Sequence, residues 1–373
     1  MSKVEPRHPY VKKLEPYQPP DLEAAADRAG VEKDALIRLI ANENLFGPSP
    51  RVAEALAGFD GYHVHPDYGS LREAVARYAA VTPGQALPEP AERVVLSNGA
   101  DEMIDLLIRL FVEPGEAIVI APPTFSMYRF SARVNRCRVL AVPRRDGDLS
   151  LDAAAIERRV EAGGEGGQAR MLFLVSPGNP SGRAIPLDVI ERLLELPLLV
   201  VVDEAYIEFG GESALKLLPD HENLVILRTF SKWAGLAGLR LGYALLAPRL
   251  ARYLERIRPP YNVNAAAMVA ALATLDDLQT VQANVACLVE ERGRLGEALG
   301  QIPFLRPLPS QANFILCRVI DRDAQTVVDG LLDRGILIRD FSDPAMASYV
   351  RITVGRPEQN DALVEALKDI DCD

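Results

Sequence analysis

Val200-Val201-Val202-Asp203-Glu204-Ala205-Tyr206 closes an apolar run that opens at Leu198. The run is continuous rather than alternating, the pattern of a strand buried on both faces. An aspartate ending such a strand is costly unless a cation or hydrogen-bond donors meet it. A structural salt bridge would do so. A cationic ring nitrogen would do so equally well, with Tyr206, three residues on, able to reach the same ring. Six more runs of this kind lie along the chain, at 93–96, 117–120, 138–142, 171–175, 224–227 and 241–246. Between them are stretches with apolar residues at helical spacing, such as 101–111 and 188–196. This alternation predicts an α/β fold, with a mostly parallel seven-stranded sheet covered by helices and ligands held at the carboxyl ends of its strands.

Beyond about residue 265 the pattern changes. A helical stretch over 265–299 leads to strand-like pieces at 313–318, 336–339 and 349–354, and a final helix over 359–370. This predicts a smaller α+β domain packed on the first. Residues 1–50 are rich in proline and charge and read as an extended arm with one helix over 21–30. The division is therefore 1–50 (arm and part of the small domain), 51–265 (large domain) and 266–373 (small domain).

The 373 residues carry 41 Lys+Arg against 52 Asp+Glu, a net charge of −11, with 49% apolar residues. That is a globular composition. The acidic balance argues against a nucleic-acid partner, which needs clustered cations. No apolar run approaches the roughly 20 residues of a membrane span. The first thirteen residues lack the apolar core of a signal peptide, so a cytoplasmic protein with no membrane partner is expected. Cys137, Cys287, Cys317 and Cys372 form no CxxC pair, and the four histidines no HExxH, so no metal site is expected. GGEGG at 163–167 is read as a surface loop, not a dinucleotide fingerprint.

Three further segments could carry chemistry. Ser97-Asn98-Gly99-Ala100-Asp101-Glu102 stands between a strand and a helix. It suits either a plain N-cap or a phosphate bound by free backbone N–H groups. Ser176-Pro177-Gly178-Asn179-Pro180 follows the strand MLFLV. It is either a turn or a device that points the Asn179 amide into a cleft. In Arg228-Thr229-Phe230-Ser231-Lys232-Trp233, a lysine just after a buried strand can be desolvated, its pKa lowered, and so form a Schiff base. Ser231 and Arg240 could serve a phosphate. Each segment alone is weak. In this order, phosphate cradle, ring-facing amide, buried aspartate and Schiff-base lysine are the set a pyridoxal phosphate (PLP) site requires.

With these residues the chain resembles the fold-type I PLP-dependent aminotransferases over about 13–356, most specifically at 229–243 (TFSKWAGLAGLRLGY). The resemblance implies that Lys232 holds the coenzyme and shuttles the proton. Asp203 would pair with the pyridinium nitrogen, Tyr206 and Asn179 with the ring hydroxyl, and Ser231, Arg240 and the backbone of Ala100 and Asp101 with the phosphate. Phe125 stands where a stacking Tyr is usual. Arg351 matches the arginine that clamps a substrate carboxylate.

Within these enzymes the chain is most similar to the histidinol-phosphate aminotransferase family. Leu14-Glu15-Pro16-Tyr17 resembles its N-terminal arm, whose tyrosine reaches substrate phosphate. Asn42-Glu43-Asn44-Leu45 resembles its Asn-Glu-Asn-Pro segment, making Asn44 a candidate substrate contact, and Arg339 stands where an arginine binds that phosphate. The family's tyrosine before Pro-Asp, which reaches the partner subunit's coenzyme, is replaced by His65, with Tyr62 and Tyr68 close by. The resemblance thus implies a homodimer that moves the amino group of L-histidinol phosphate to 2-oxoglutarate, in histidine biosynthesis. The alternatives are a PLP-dependent decarboxylase of threonine phosphate, an aromatic amino-acid aminotransferase, and a non-catalytic protein of the same fold.

Overall fold

The computed structural model describes residues 11–372 apart from 13, 15, 17, 18, 82–87, 89 and 164–167. β1 (Ile37–Leu39) precedes a seven-stranded sheet made of β2 (Val94–Ser97), β3 (Ala117–Ile120), β4 (Arg138–Ala141), β5 (Ala169–Val175), β6 (Leu199–Asp203), β7 (Leu224–Thr229) and β8 (Gly242–Leu246). Its order is β2-β8-β7-β6-β5-β3-β4, and only β8 is antiparallel to its neighbours. The exception has a simple cause. A parallel return usually runs through a crossover helix, but the 230–241 connection holds no α-helix, only a short 3-10 turn at Ala237–Leu239. β8 therefore folds straight back beside β7.

Why the strands read as unbroken apolar runs is visible in β6. Val200 and Val202 pack into one core cluster, Leu199 and Val201 into another on the opposite face of the sheet. Successive side chains alternate faces, and here both faces are covered. The helix Gly99–Phe111 buries Met103, Ile104, Leu106, Leu107 and Ile108 against the sheet.

The expected helix over 265–299 is in fact two, Ala265–Asp276 and Leu278–Gly300. Asp277 makes the break. Its carboxylate accepts from Ser49 Oγ at 2.5 Å and Thr280 Oγ1 at 2.9 Å, a local alternative to helical backbone pairing. Downstream, β9 (Leu305–Pro307), β10 (Phe314–Val319) and β12 (Tyr349–Thr353) form an antiparallel sheet ordered β12-β10-β9. β11 (Ile336–Ile338) pairs in parallel with β1, tying the segment before residue 40 to the C-terminal part of the fold. No described helix is long and apolar enough to cross a membrane.

Candidate active site

The carboxyl ends of β2, β5, β6 and β7 open onto a cavity of about 660 Å³. It is closed on the other side by residues 40–43 and 339–346, with Arg351. Ala100, Asp101, Phe125, Asn179, Asp203 and Tyr206 all line it, as do Ser231, Lys232, Arg240, Arg339 and Arg351. Residues as far apart in sequence as Ile40 and Arg351 converge because the sheet brings its strand ends to one edge, where the 40–43 and 339–351 segments close over them.

Asp203, the last residue of β6, is 4% exposed. Its Oδ2 accepts a 2.6 Å hydrogen bond from the hydroxyl of Tyr128, and its Oδ1 accepts from Ala205 N at 3.0 Å. Burial pushes its pKa up to about 6, against the pull of these two donors. Tyr128 is fully buried and stacks on Phe173 at 4.5 Å. One strand further on, Arg228 and Glu204 form a buried ion pair at 2.9 Å, with the Ser213 hydroxyl and the Ala214 N–H completing the carboxylate's bonds. The acidic end of β6 is thus divided between a buried structural ion pair and one carboxylate that faces the cavity.

Lys232 lies on the segment after β7. Its Nζ donates to Ala41 O at 2.9 Å and stands 5.9 Å from the Tyr206 ring. Withdrawal from solvent lowers its pKa to about 8, helped by the Arg351 and Arg240 charges and opposed by Glu43 and Asp101. The next residue, Trp233, stacks on Tyr78 at 4.9 Å and fixes the segment from behind.

At the other end of the cavity, Gly99 (φ +75°) turns the chain into its helix. A Cβ there would stand 2.8 Å from the Arg240 guanidinium. A Cβ on Gly242 would stand 2.8 Å from Ala100 N. Only glycines let the guanidinium, the Ser231 hydroxyl and the bare helix terminus come together. Arg240 donates to Ser231 Oγ at 3.3 Å and to Asp101 Oδ2 at 3.2 Å.

The hydroxyl of Tyr206 accepts from Asn42 Nδ2 at 3.1 Å and Asn179 Nδ2 at 3.4 Å. Asn179 in turn accepts from Arg351 at 2.8 Å through Oδ1, and Arg351 also donates to Ile40 O at 2.7 Å. Arg339 and Arg351 face each other across a backbone bridge, with N–H···O bonds of 3.0 and 2.8 Å.

One expected contact is corrected. Asn44 does not line the cavity. Its Nδ2 donates to Trp233 O at 2.8 Å, and its Oδ1 accepts from Phe46 N at 3.1 Å. It therefore clamps the Lys232 segment. Asn42 occupies the cavity instead, because its positive φ of 53° rotates the chain after β1. Tyr17 lies outside the described residues. Tyr68 is occupied internally, exchanging bonds with Val263, whereas His65 stacks on Tyr261 at 4.1 Å and Tyr62 is 65% exposed. Besides Asn42, the sequence reading missed Tyr128 and Arg129. Tyr128 sits in a helix whose amphipathic pattern explains it without any ligand.

With this geometry established, comparison with known proteins is informative. Residues 34–367 match the family model for aminotransferases of class I and II. The chain belongs to that family and is a PLP-dependent aminotransferase. A histidinol-phosphate aminotransferase of Roseiflexus castenholzii is 45% identical, with 97% of both chains covered. A chloroplastic histidinol-phosphate aminotransferase of Nicotiana plumbaginifolia is 42% identical, covering 96% of this chain and 85% of that one. Among solved structures, the Sinorhizobium meliloti histidinol-phosphate aminotransferase in complex with pyridoxal-5'-phosphate superposes with a TM-score of 0.85, at 27% identity over 99% of this chain and 98% of that one.

The donor set fits PLP. A buried carboxylate suits a protonated ring nitrogen, a doubly bonded phenol suits a ring hydroxyl, and the glycine-lined cup with Arg240 and Ser231 suits a phosphate. Bound there, the coenzyme supplies a carbonyl that takes up an amino group and a ring that draws electrons from the substrate's Cα. The chain supplies the rest. Lys232, with its amine near neutrality, can take a proton and return it at neutral pH. Asp203 would have to be ionised to meet a protonated ring nitrogen. Arg351 presents a planar fork suited to a carboxylate.

Proposed function

We propose that this enzyme transfers the amino group of L-histidinol phosphate to 2-oxoglutarate, giving imidazole acetol phosphate and L-glutamate. The observation that carries the reading is the pair of arginines, 339 and 351, on one cavity wall. Arg351 is committed to Asn179 and Ile40 beside the lysine, where a carboxylate of glutamate would sit. Arg339 makes no side-chain hydrogen bond or ion pair with any described residue, which suits an alternating phosphate. In this reading Lys232 is the catalytic residue. Ala100, Asp101, Phe125, Asn179, Asp203, Tyr206, Ser231 and Arg240 hold the coenzyme, and Tyr17, Arg339 and Arg351 the substrate. The relatives' names support the substrate.

The enzyme would act as a homodimer, supported by the exposed Tyr62, Val64 and Tyr261 beside His65. Residues 51–265 would form the coenzyme domain, and 266–373 with part of 1–50 the smaller one. The buried free thiols of Cys137 and Cys317 suit the reducing cytoplasm. A coupled assay tests the substrate: glutamate should form from histidinol phosphate far faster than from phenylalanine. Release of carbon dioxide from threonine phosphate without a keto acid would overturn it.

A further inference from the structure

Among the described residues, four arginines face the cavity: Arg129, Arg240, Arg339 and Arg351. Arg240 is held by Ser231 and Asp101, and Arg351 by Asn179 and Ile40. Arg129 and Arg339 make no side-chain hydrogen bond or ion pair with a described residue. The acids around them are otherwise engaged. Asp203 accepts from Tyr128, Asp343 caps Ala345 N at 3.0 Å, and Glu43 lies 3.3 Å from Arg38.

Arg129 reaches the cavity from the first turn of the helix Ser126–Val134, one turn after Phe125. Ser126 lines the cavity too, and residues three apart share a helix face. Arg339 comes from the end of β11, in a different part of the fold. Two unpaired guanidinium forks on one cavity exceed what a single carboxylate needs, and they match a dianion with three acceptor oxygens.

We propose that Arg129 is a specificity-determining residue which, with Arg339, binds the phosphate dianion of the amino donor and so separates phosphorylated from unphosphorylated amines. This rests on the phosphorylated-amine reading above. It concerns binding only, so Arg129 contributes selectivity rather than proton transfer.

The test uses the holoenzyme and three proteins: wild type, Arg129→Met and Arg129→Lys. In the amino-donor half-reaction, Arg129→Met should lower kcat/KM for histidinol phosphate by about tenfold or more, the worth of one charge-assisted contact. It should leave histidinol and glutamate within about twofold of wild type, so that selectivity changes and chemistry does not. Arg129→Lys should recover part of the loss. Inorganic phosphate, as a competitor of glutamate, should inhibit Arg129→Met about tenfold more weakly than wild type. Equal losses for phosphorylated and unphosphorylated donors would overturn the assignment. If wild type does not use histidinol phosphate at all, the substrate reading fails. Phosphate inhibition then still decides Arg129, and equal inhibition of wild type and variant refutes it.

Discussion

Replacing Tyr128 by phenylalanine removes one oxygen and keeps the ring, its burial and its stack on Phe173. What disappears is the 2.6 Å bond to Asp203, whose pKa stands near 6 because burial outweighs its two donors. A hydrogen bond to a charged group is worth about 1.5–3 kcal/mol. At 1.36 kcal/mol per unit, its loss moves Asp203 up by about 1–2 units, to roughly 7–8. The carboxylate must be ionised to meet a protonated pyridine nitrogen. The affinity of the apoenzyme for PLP should therefore fall as pH drops through about 6 in wild type, and already through about 7–8 in Tyr128→Phe. At pH 7 the variant should bind severalfold more weakly, and at pH 9 nearly as well.

Titrating apoenzyme with PLP across this range, followed by absorbance, reads both midpoints. The same raised pKa acts on stability. Asp203 holds its proton more tightly folded than unfolded, so its contribution is present below pH 4 and lost as pH rises through about 6. The loss is about 3 kcal/mol in the unliganded chain. Denaturant midpoints of apoenzyme should fall over that window in wild type and go on falling to pH 7–8 in Tyr128→Phe. Coincident midpoints in the two proteins would refute the claim that Tyr128 sets the charge of Asp203.

Other outcomes can be checked alongside. Attachment of PLP to the apoenzyme should speed up with a midpoint near pH 8, not at 10.5, because Lys232 loses its proton early; the rate of the visible absorbance change measures this. Arg351→Met removes a positive neighbour of Lys232, so that midpoint should rise, and KM for 2-oxoglutarate should rise by about tenfold or more. Asn44→Ala breaks a buried hydrogen bond to Trp233 O and a half-buried one from Phe46 N. It should cost about 1–3 kcal/mol in denaturant unfolding and lower kcat more than it raises KM. Gly99→Ala forces a side chain into a left-handed turn against Arg240. It should weaken PLP binding with little change in the far-ultraviolet spectrum.

Much of the large sheet was legible because burial on both faces leaves a plain mark: unbroken apolar runs that end in functional residues. Strand direction left no such mark, and β8 runs against its neighbours because 230–241 forms no crossover helix. The helix break at Asp277 was hidden for a related reason. No glycine or proline marks it, and the residue that stops the helix is held by Ser49, some 230 positions away. Within the site, residues at strand ends were readable, since a charge after a buried strand has to be explained. Tyr128 was not, because its hydroxyl matters only through a partner on β6. Asn42 and Asn44 were exchanged because a single positive φ decides which amide faces the cavity. Arg129 carries no mark in the sequence that separates it from the polar face of any amphipathic helix; only the fold places it on the cavity.

The central claim is that Lys232 carries the coenzyme in a cavity where Asp203, Tyr206 and Arg240 meet it. Reducing the holoenzyme with borohydride, digesting it and locating the coenzyme-modified peptide by mass tests this directly. The modification should fall on Lys232, and Lys232→Ala should yield no modified peptide and no turnover. A modification on another lysine, or turnover that survives in Lys232→Ala, would contradict the account.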